Sequence, residues 1–305
     1  MSNDSPPPRP SARDEVTVGI DAGGSSTRAR AVRCGVIVFE GAAGPGNPIM
    51  ADQETLSASY RAALAGCPSP GRVVACVSGT AHEPQRAQIE DLLAGRFPGA
   101  VVRVMPDYLA PVMAAPPGTD VCVVAGTGSV VCSRDATGTC VVTGGRGWIL
   151  GDHGSAARLG QAALEYFAAG PHRVPASFAS AVGQIFGASD WRTVVRAVHS
   201  APNPAPLLAS AAPLLTRAAQ DHAGWAVAAL DKEMAALATS AAQHIEQYVP
   251  GKPQVRVALS GGVWTSEAAR SSFARALGRA ARRQVVVSWP ANDPLDGALR
   301  LAREG

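Results

Sequence analysis

No apolar run in this chain approaches the roughly 18 residues that a membrane-spanning helix needs, so no such helix is expected. Net charge is scarce as well. It is +3 at pH 7, with lysine and arginine scattered, which is too little for a nucleic-acid footprint. The six cysteines (34, 67, 76, 122, 132 and 140) include no CxxC pair and no metal-like grouping. Most lie in apolar strand-like runs, where a reduced thiol behaves as a small hydrophobe. The first residues, Met1 to Arg13, are rich in Ser, Pro and Arg and lack the apolar centre of a signal peptide. Residues 1–14 therefore read as a disordered tail, and the protein is expected to be cytoplasmic. Short-period repeats and long linkers are missing, so the domains are expected to abut closely. What is present is substantial: 305 residues, 47% of them hydrophobic, suffice for two medium domains with a core each.

Strand-like segments at 16–21, 28–33 and 36–40 open the chain. They are followed by a helix at 52–65, a strand at 72–77, a helix around 83–94 and a strand at 101–105. The pattern then restarts, with strands near 120–125, 129–134 and 140–143 and a helix from about 154. Three strands followed by helix–strand alternation, occurring twice, predict a duplicated α/β unit. From about 175 to 250 the sequence is alanine-rich and helical in period, broken at Pro202-Asn203-Pro204 and Pro250-Gly251. A strand at 254–259, a helix at 267–279, a strand at 284–288 and a helix at 294–303 close the chain. The last of these is expected to return to the first domain.

Two of the buried-type strands run into glycine- and hydroxyl-rich turns: Asp21-Ala22-Gly23-Gly24-Ser25-Ser26-Thr27 and Gly126-Thr127-Gly128-Ser129. Glycine lets the backbone approach an anion, and successive N–H groups with hydroxyls can cradle phosphate oxygens. One such turn is weak evidence, because most are plain hairpins. Two in the same strand–turn–strand context suggest two domains gripping one polyphosphate.

The carboxylates near these loops admit two readings each. Asp21 either holds Mg²⁺ beside a transferring phosphate or is a turn aspartate bonding its own backbone. Asp107 follows a strand and opens a helix, so it is either a general base at a strand end or an N-cap. Residues 144–155, GGRGWILGDHGS, hold five glycines, which suits a loop against a ligand and not a helix or strand interior. Its following helix is expected to open its first turn at Ser155. His153 within it is either an acid/base group or an exposed or hydrogen-bonded loop residue. Asn47, in Gly44-Pro45-Gly46-Asn47-Pro48, and Ser260-Gly261-Gly262 are turns by composition alone.

Taken together, these segments resemble the acetate/sugar kinase–Hsp70–actin superfamily. Within it they resemble the BadF/BadG/BcrA/BcrD-type ATPases, and among those the N-acetylglucosamine kinases. The resemblance runs from about residue 16 to the C-terminus. It rests on the two phosphate motifs, on Val77-Ser78-Gly79 with Met105-Pro106-Asp107, on the 144–155 element, on Leu259-Ser260-Gly261-Gly262-Val263 and on the helix Pro294–Ala302. It implies a duplicated actin-like/ribonuclease H-like α/β fold. The domains would be 15–115, joined by a closing helix at 290–305, and 116–289, with an active-site cleft between them.

The resemblance further implies a cytoplasmic, homodimeric, ATP- and Mg²⁺-dependent kinase of a small-molecule amino sugar, acting at a hydroxyl such as C6, with no nucleic-acid or membrane partner. Asp107 would be the base and Asp21 the metal ligand. Gly23, Gly24, Ser25, Ser26, Thr127 and Gly128 would meet the ATP phosphates. Ala219, Gly261, Gly262 and Ser266 would line the nucleotide. Asn47, Ser129, Gly145, Arg146 and Asp152, with Asp107, would hold the sugar. Three residues depart from the pattern: Arg146 stands where an aromatic is usual, His153 where glutamate is usual, and Val130 where some relatives place an amide. These open the acceptor to N-acetylglucosamine, glucosamine, N-acetylmuramic acid or another hydroxylated metabolite. An iron–sulfur ATPase activator would need cluster cysteines, for which only Cys132 and Cys140 lie close together, and both read as strand-buried. A sugar-sensing regulator would need a DNA-binding segment or a zinc-cysteine motif, and neither is present in the sequence.

Overall fold

The computed structural model describes residues 15–135, 137–170, 174–188, 190–289 and 292–304, and it separates into two compact units. The tail expected at 1–14 lies outside the described residues. The first unit takes the chain to Ala114 and adds the segment from Asp293 onward; the second spans Ala115–Asn292.

The first unit opens with β1 (Thr17–Ala22), β2 (Thr27–Arg33) and β3 (Val36–Ala43). It continues through α1 (Gln53–Ala63), β4 (Arg72–Val77), α2 (Glu83–Arg96), β5 (Val101–Pro106) and α3 (Leu109–Ala114). Its sheet has the order β3-β2-β1-β4-β5, antiparallel from β1 to β3 and parallel from β1 to β5. Central strands β1 and β4 are apolar on both faces and almost wholly buried, as parallel pairing with covered faces demands. The edge strand β3 is mostly exposed.

The second unit repeats this plan. It contains β6 (Val121–Ala125), β7 (Ser129–Arg134), β8 (Cys140–Gly144), α4 (Gly147–Leu150) and α5 (Ala156–Ala169). A helical stretch follows, with α6 (Ala176–Phe186), α7 (Trp191–Ser200), α8 (Pro204–Ser210), α9 (Ala212–Gln220) and α10 (Gly224–Tyr248). Then come β9 (Gln254–Ser260), a 3₁₀ turn at Gly262–Thr265, α11 (Glu267–Ala280) and β10 (Gln284–Ser288). Its sheet order, β10-β9-β6-β7-β8, is the order of the first sheet written from the other end. The core lies between this sheet and α5, α9, α10 and α11. There Trp264 is fully buried and donates from Nε1 to the carbonyl of Val123 at 3.1 Å.

Helix α12 (Pro294–Arg303) completes the first unit by packing on α3 and β1. Asp293 caps it, accepting from the N–H of Leu295 at 3.1 Å. Gly297 permits the close approach of α12 to α3, since a Cβ there would collide with the carbonyl of Ala110. Arg30 on β2 binds Asp296 (2.6 Å), Glu40 (2.8 Å) and Asp293 (3.3 Å), so charge as well as apolar burial ties this helix to the sheet.

The glycine-rich segment departs from its expected form. It is not loop throughout: residues 147–150 form one helical turn, because Gly144, Gly145 and Gly147 take positive φ and turn the chain into it. Ser155 opens the first turn of α5, as expected, in the N-cap position, with its hydroxyl accepting from the N–H of Arg158 at 3.3 Å. Among the described residues, no helix is long and apolar enough to cross a membrane.

Candidate active site

In the first unit the candidate residues gather at the carboxyl edge of the parallel strands, where ligands bind in open α/β sheets. Register places Asp21, Cys76 and Met105 in one row across β1, β4 and β5. Asp107 lies two residues beyond Met105, so Asp21 and Asp107 stand two strands apart, on the order of 10 Å across the sheet. Burial pushes the Cys76 thiol well up, and the nearby negative charges of Asp21 and Asp107 push it the same way.

Residues 23–26 form the tight turn between β1 and β2, closed by the N–H of Gly23 donating to the carbonyl of Ser26 at 2.8 Å, with Ser25 and Ser26 exposed at its tip. Asn47 is 3% exposed and reaches this edge because Gly46 donates to the carbonyl of Gly23 at 2.9 Å. Its Nδ2 donates to Ser78 Oγ at 2.7 Å, and its Oδ1 accepts from the N–H of Ile49 at 2.8 Å.

Asp21 is not the self-bonded turn aspartate: its Oδ2 accepts from Arg28 Nη2 at 2.6 Å, and Arg28 also meets Asp293 at 3.0 Å. Burial raises the Asp21 carboxyl above its ordinary value, against the lowering effect of Arg28. No group of three metal-type side chains occurs among the described residues. A single half-buried carboxylate beside a phosphate-type loop fits Mg²⁺, which takes its other ligands from substrate phosphate and water.

In the second unit Thr127 and Gly128 form the β6–β7 turn, closed by Gly126 N–H to the carbonyl of Gly128 at 2.9 Å. This turn docks on the start of α5, where Ala156 donates to the carbonyl of Gly126 at 2.8 Å. Asp152 gathers the neighbouring loops. Its Oδ1 accepts from the N–H of Arg146 at 3.1 Å, and the N–H groups of Ser129 and Gly147 also point to it. Burial raises its carboxyl nonetheless, with these donors opposing the shift. A Cβ on Gly128 would press on Asp152 Oδ2, so the second phosphate-type turn and the glycine-rich segment are in direct contact.

Ser129 Oγ donates to the carbonyl of His153 at 2.8 Å, and Gly145 donates to the carbonyl of Ser129 at 3.1 Å. Thr127, Gly128, Ser129, Gly145, Arg146 and Asp152 therefore form one cluster. Gly261 belongs beside it: at φ +108 it leaves no room for a side chain against the backbone of Ala125, just before Gly126. Gly262 follows in the 3₁₀ turn, and Ser266 uses its hydroxyl to cap α11, accepting from Ala269 at 3.3 Å. Ala219 is a buried core residue of α9. Arg146 is exposed, and its guanidinium makes no hydrogen bond or ion pair among the described residues.

Two residues escaped the sequence reading. Arg28 is bound to Asp21 through antiparallel register, which strand alternation does not reveal. Glu233 is buried on α10 and bonded to His153, Gly154 and Arg158. Its signal was available: a carboxylate on the same helical stripe as Leu230, Met234 and Leu237.

A profile of the BadF/BadG/BcrA/BcrD ATPase family matches residues 18–299. The chain belongs to that family. As a member of this ATPase family it has an actin-like fold shared with solved sugar-kinase structures. One is a candidate N-acetylglucosamine kinase from Chromobacterium violaceum, with TM-score 0.67, 23% identity, and coverage of 94% of this chain and 99% of that one. Another candidate N-acetylglucosamine kinase, from Porphyromonas gingivalis, gives TM-score 0.70 at 18% identity over 95% and 99%. A ROK family glucokinase from Streptomyces griseus, in complex with glucose and AMPPNP, gives 0.65 at 17% over 95% and 100%. At these identities the likeness is one of fold. No curated protein matches the chain in sequence.

Proposed function

We propose that this family member is an ATP-dependent sugar kinase whose acceptor is an amino sugar, with N-acetylglucosamine phosphorylated at C6 as the leading case. The observation that carries the reading is the placing of Asp21, Asn47 and Asp107 on one sheet edge beside the Gly23–Ser26 turn. The fold shared with sugar-kinase structures supports the same class.

In this reading Asp107 accepts the proton of the acceptor hydroxyl as its oxygen attacks the γ-phosphorus. The bond from that phosphorus to the bridging oxygen breaks, and ADP leaves with the electron pair. Ser25, Ser26, Thr127 and Gly128 take phosphate oxygens through hydroxyl and N–H donors, with Gly23 and Gly24 admitting close approach. Gly261, Gly262, Ser266 and Ala219 are assigned to the nucleoside. Asn47, Ser129, Gly145 and Asp152 orient sugar hydroxyls. Asp21 would hold Mg²⁺, which supplies charge neutralisation on the phosphoryl oxygens when bound.

A second reading of the acceptor is favoured by one observation: the guanidinium of Arg146, exposed and without a partner among the described residues, suits an acid-bearing amino sugar, N-acetylmuramic acid being the case in point. ATP consumption measured against N-acetylglucosamine, glucosamine, N-acetylmannosamine, N-acetylmuramic acid and glucose separates the acceptors. Asp107→Asn keeps shape but removes the proton acceptor, so kcat should fall roughly 10²–10⁴-fold with nucleotide affinity retained. A variant keeping about a third of wild-type kcat would remove Asp107 from the role of base in the sense used for such groups.

A further inference from the structure

The segment Gly151–Ser155 carries Asp152 in a left-handed conformation, φ +50, which is unfavourable for a residue with a Cβ. Gly154 follows at φ +73, pressed so closely on Leu237 of α10 that a Cβ would stand 2.7 Å from its Cδ2. Such a backbone persists only where its surroundings over-determine it. Its backbone is held by Ser129 Oγ on the carbonyl of His153, Ser155 N–H on the carbonyl of Asp152 at 3.0 Å, Gly151 N–H on the carbonyl of Gly147 at 2.8 Å and two contacts with Glu233, while the Asp152 carboxylate accepts from the N–H groups of Arg146, Ser129 and Gly147.

Glu233 is the unusual member of this set. Its side chain is 6% exposed and sits among the buried apolar residues of α10, where an unpartnered carboxylate is costly. Oε1 accepts from Arg158 Nη2 at 2.8 Å, turned towards α5. Oε2 accepts from the N–H of Gly154 at 3.2 Å and faces His153 Nδ1 at 3.2 Å, with Arg158 Nε at 3.4 Å. Burial pushes this carboxyl up, but Arg158, the Gly154 N–H and His153 together leave it below its ordinary value. One oxygen thus serves the contact between helices, and the other also serves the loop that presents Asp152.

We propose that Glu233 is a positioning residue for the acceptor: through Oε2 it clamps Gly154 and His153 and so fixes where Asp152 meets the sugar. This rests on the sugar-kinase reading above. The competing account is that Glu233 and Arg158 are a buried pair that only fastens α5 to α10.

The test compares Glu233→Ala, Glu233→Gln and Arg158→Met in the full chain. It reads hydrogen exchange of the 151–155 amides and the separate KM values for acceptor and ATP. Glu233→Ala should speed exchange at Gly154 at least about tenfold while mid-α10 amides stay protected. It should also raise the acceptor KM roughly tenfold, with the ATP KM within about twofold. Glutamine retains an oxygen that can accept from the Gly154 N–H. It should therefore bring both readouts back to within about threefold of wild type. Arg158→Met should leave loop protection closer to wild type than Glu233→Ala does.

Unchanged exchange at Gly154 in Glu233→Ala overturns the proposal. So does an Arg158→Met variant that reproduces Glu233→Ala in every readout. If Glu233→Ala does not fold, the double variant Glu233→Met with Arg158→Met, an apolar replacement of the pair, is judged by the same exchange criterion. Absence of kinase activity on every sugar would count against the functional reading alone, because the exchange measurement decides the clamp without turnover.

Discussion

Arg146 leaves the backbone between two fixed points: Asp152 holds its N–H, and its Cβ lies 3.2 Å from where a Cβ on Gly151 would stand. The side chain therefore starts from a defined place while its guanidinium is exposed and without a partner among the described residues. A planar five-donor fork recognises a carboxylate or several hydroxyls, whereas the aromatic usual at this position in the resembling kinases offers a stacking face. Arg146→Trp is expected to change relative kcat/KM between acid-bearing and neutral amino sugars by roughly tenfold or more, the worth of one charge-assisted hydrogen bond. At least one acceptor should keep substantial turnover. An acceptor ranking identical to wild type across the panel would return the choice of sugar to Asn47, Ser129 and Asp152.

Helix α10 fastens the second unit through polar groups on its buried side as well as apolar ones. His244, 1% exposed, bonds Thr143 Oγ1 at 2.8 Å through Nδ1 and Ser133 Oγ at 2.9 Å through Nε2, joining the helix to β8 and β7. Burial lowers its pKa from 6.5 to about 4. The unfolded chain therefore binds a proton between about pH 6.5 and 4 that the folded chain refuses. Stability from this residue is complete above about pH 6.5 and is lost as pH falls towards 4, on the order of 3 kcal/mol in all. Urea unfolding of wild type should show that decline, and His244→Asn should be less stable at pH 7 but lack this part of the slope. Parallel pH profiles for the two proteins would exclude His244 as its source.

The sequence was informative about elements with short periods and sharp ends. The strands β1, β2, β4, β6 and β7 could be read from apolar runs stopped by glycine turns, and α12 from its Asn-Asp-Pro start. Division of residues 175–250 into α6 to α10 was not readable beyond its proline breaks, and in the long α10 alanine favours helix on every face and leaves little amphipathic contrast. The turn Gly147–Leu150 was hidden by the glycines that make it possible. In the candidate site, Asp21 and Asp107 were visible as strand-end carboxylates. Their surroundings were not: the partners of Arg28 and Arg30 in α12 lie more than 260 positions away.

At the scale of the molecule, the first unit is closed by residues from the far end of the chain. Leu295, Ala298, Leu299, Leu301 and Ala302 are buried there, and Asp293 and Asp296 receive the arginines of β2. Removing residues 293–305 would uncover β1 and α3 and take Asp293 and Asp296 from Arg28 and Arg30, leaving them Asp21 and Glu40. The truncated protein is expected to lose protease resistance across residues 15–114 while the second unit keeps its own. Equal resistance of both segments after truncation would show that α12 is dispensable.

The same connectivity constrains synthesis. A nascent chain emerging from the ribosome displays the five strands of the first sheet long before α12, which packs on β1 and β4, exists. At roughly 5–20 residues per second, the entire second unit must be translated first, a delay of about ten to forty seconds. The second unit is contiguous and can mature within that interval, so the half made first is the half finished last. During the wait the face of β1 and β4 on which α12 packs lacks its cover, and the exposed edge at Val36, Ile37 and Val38 is open to pairing with another chain.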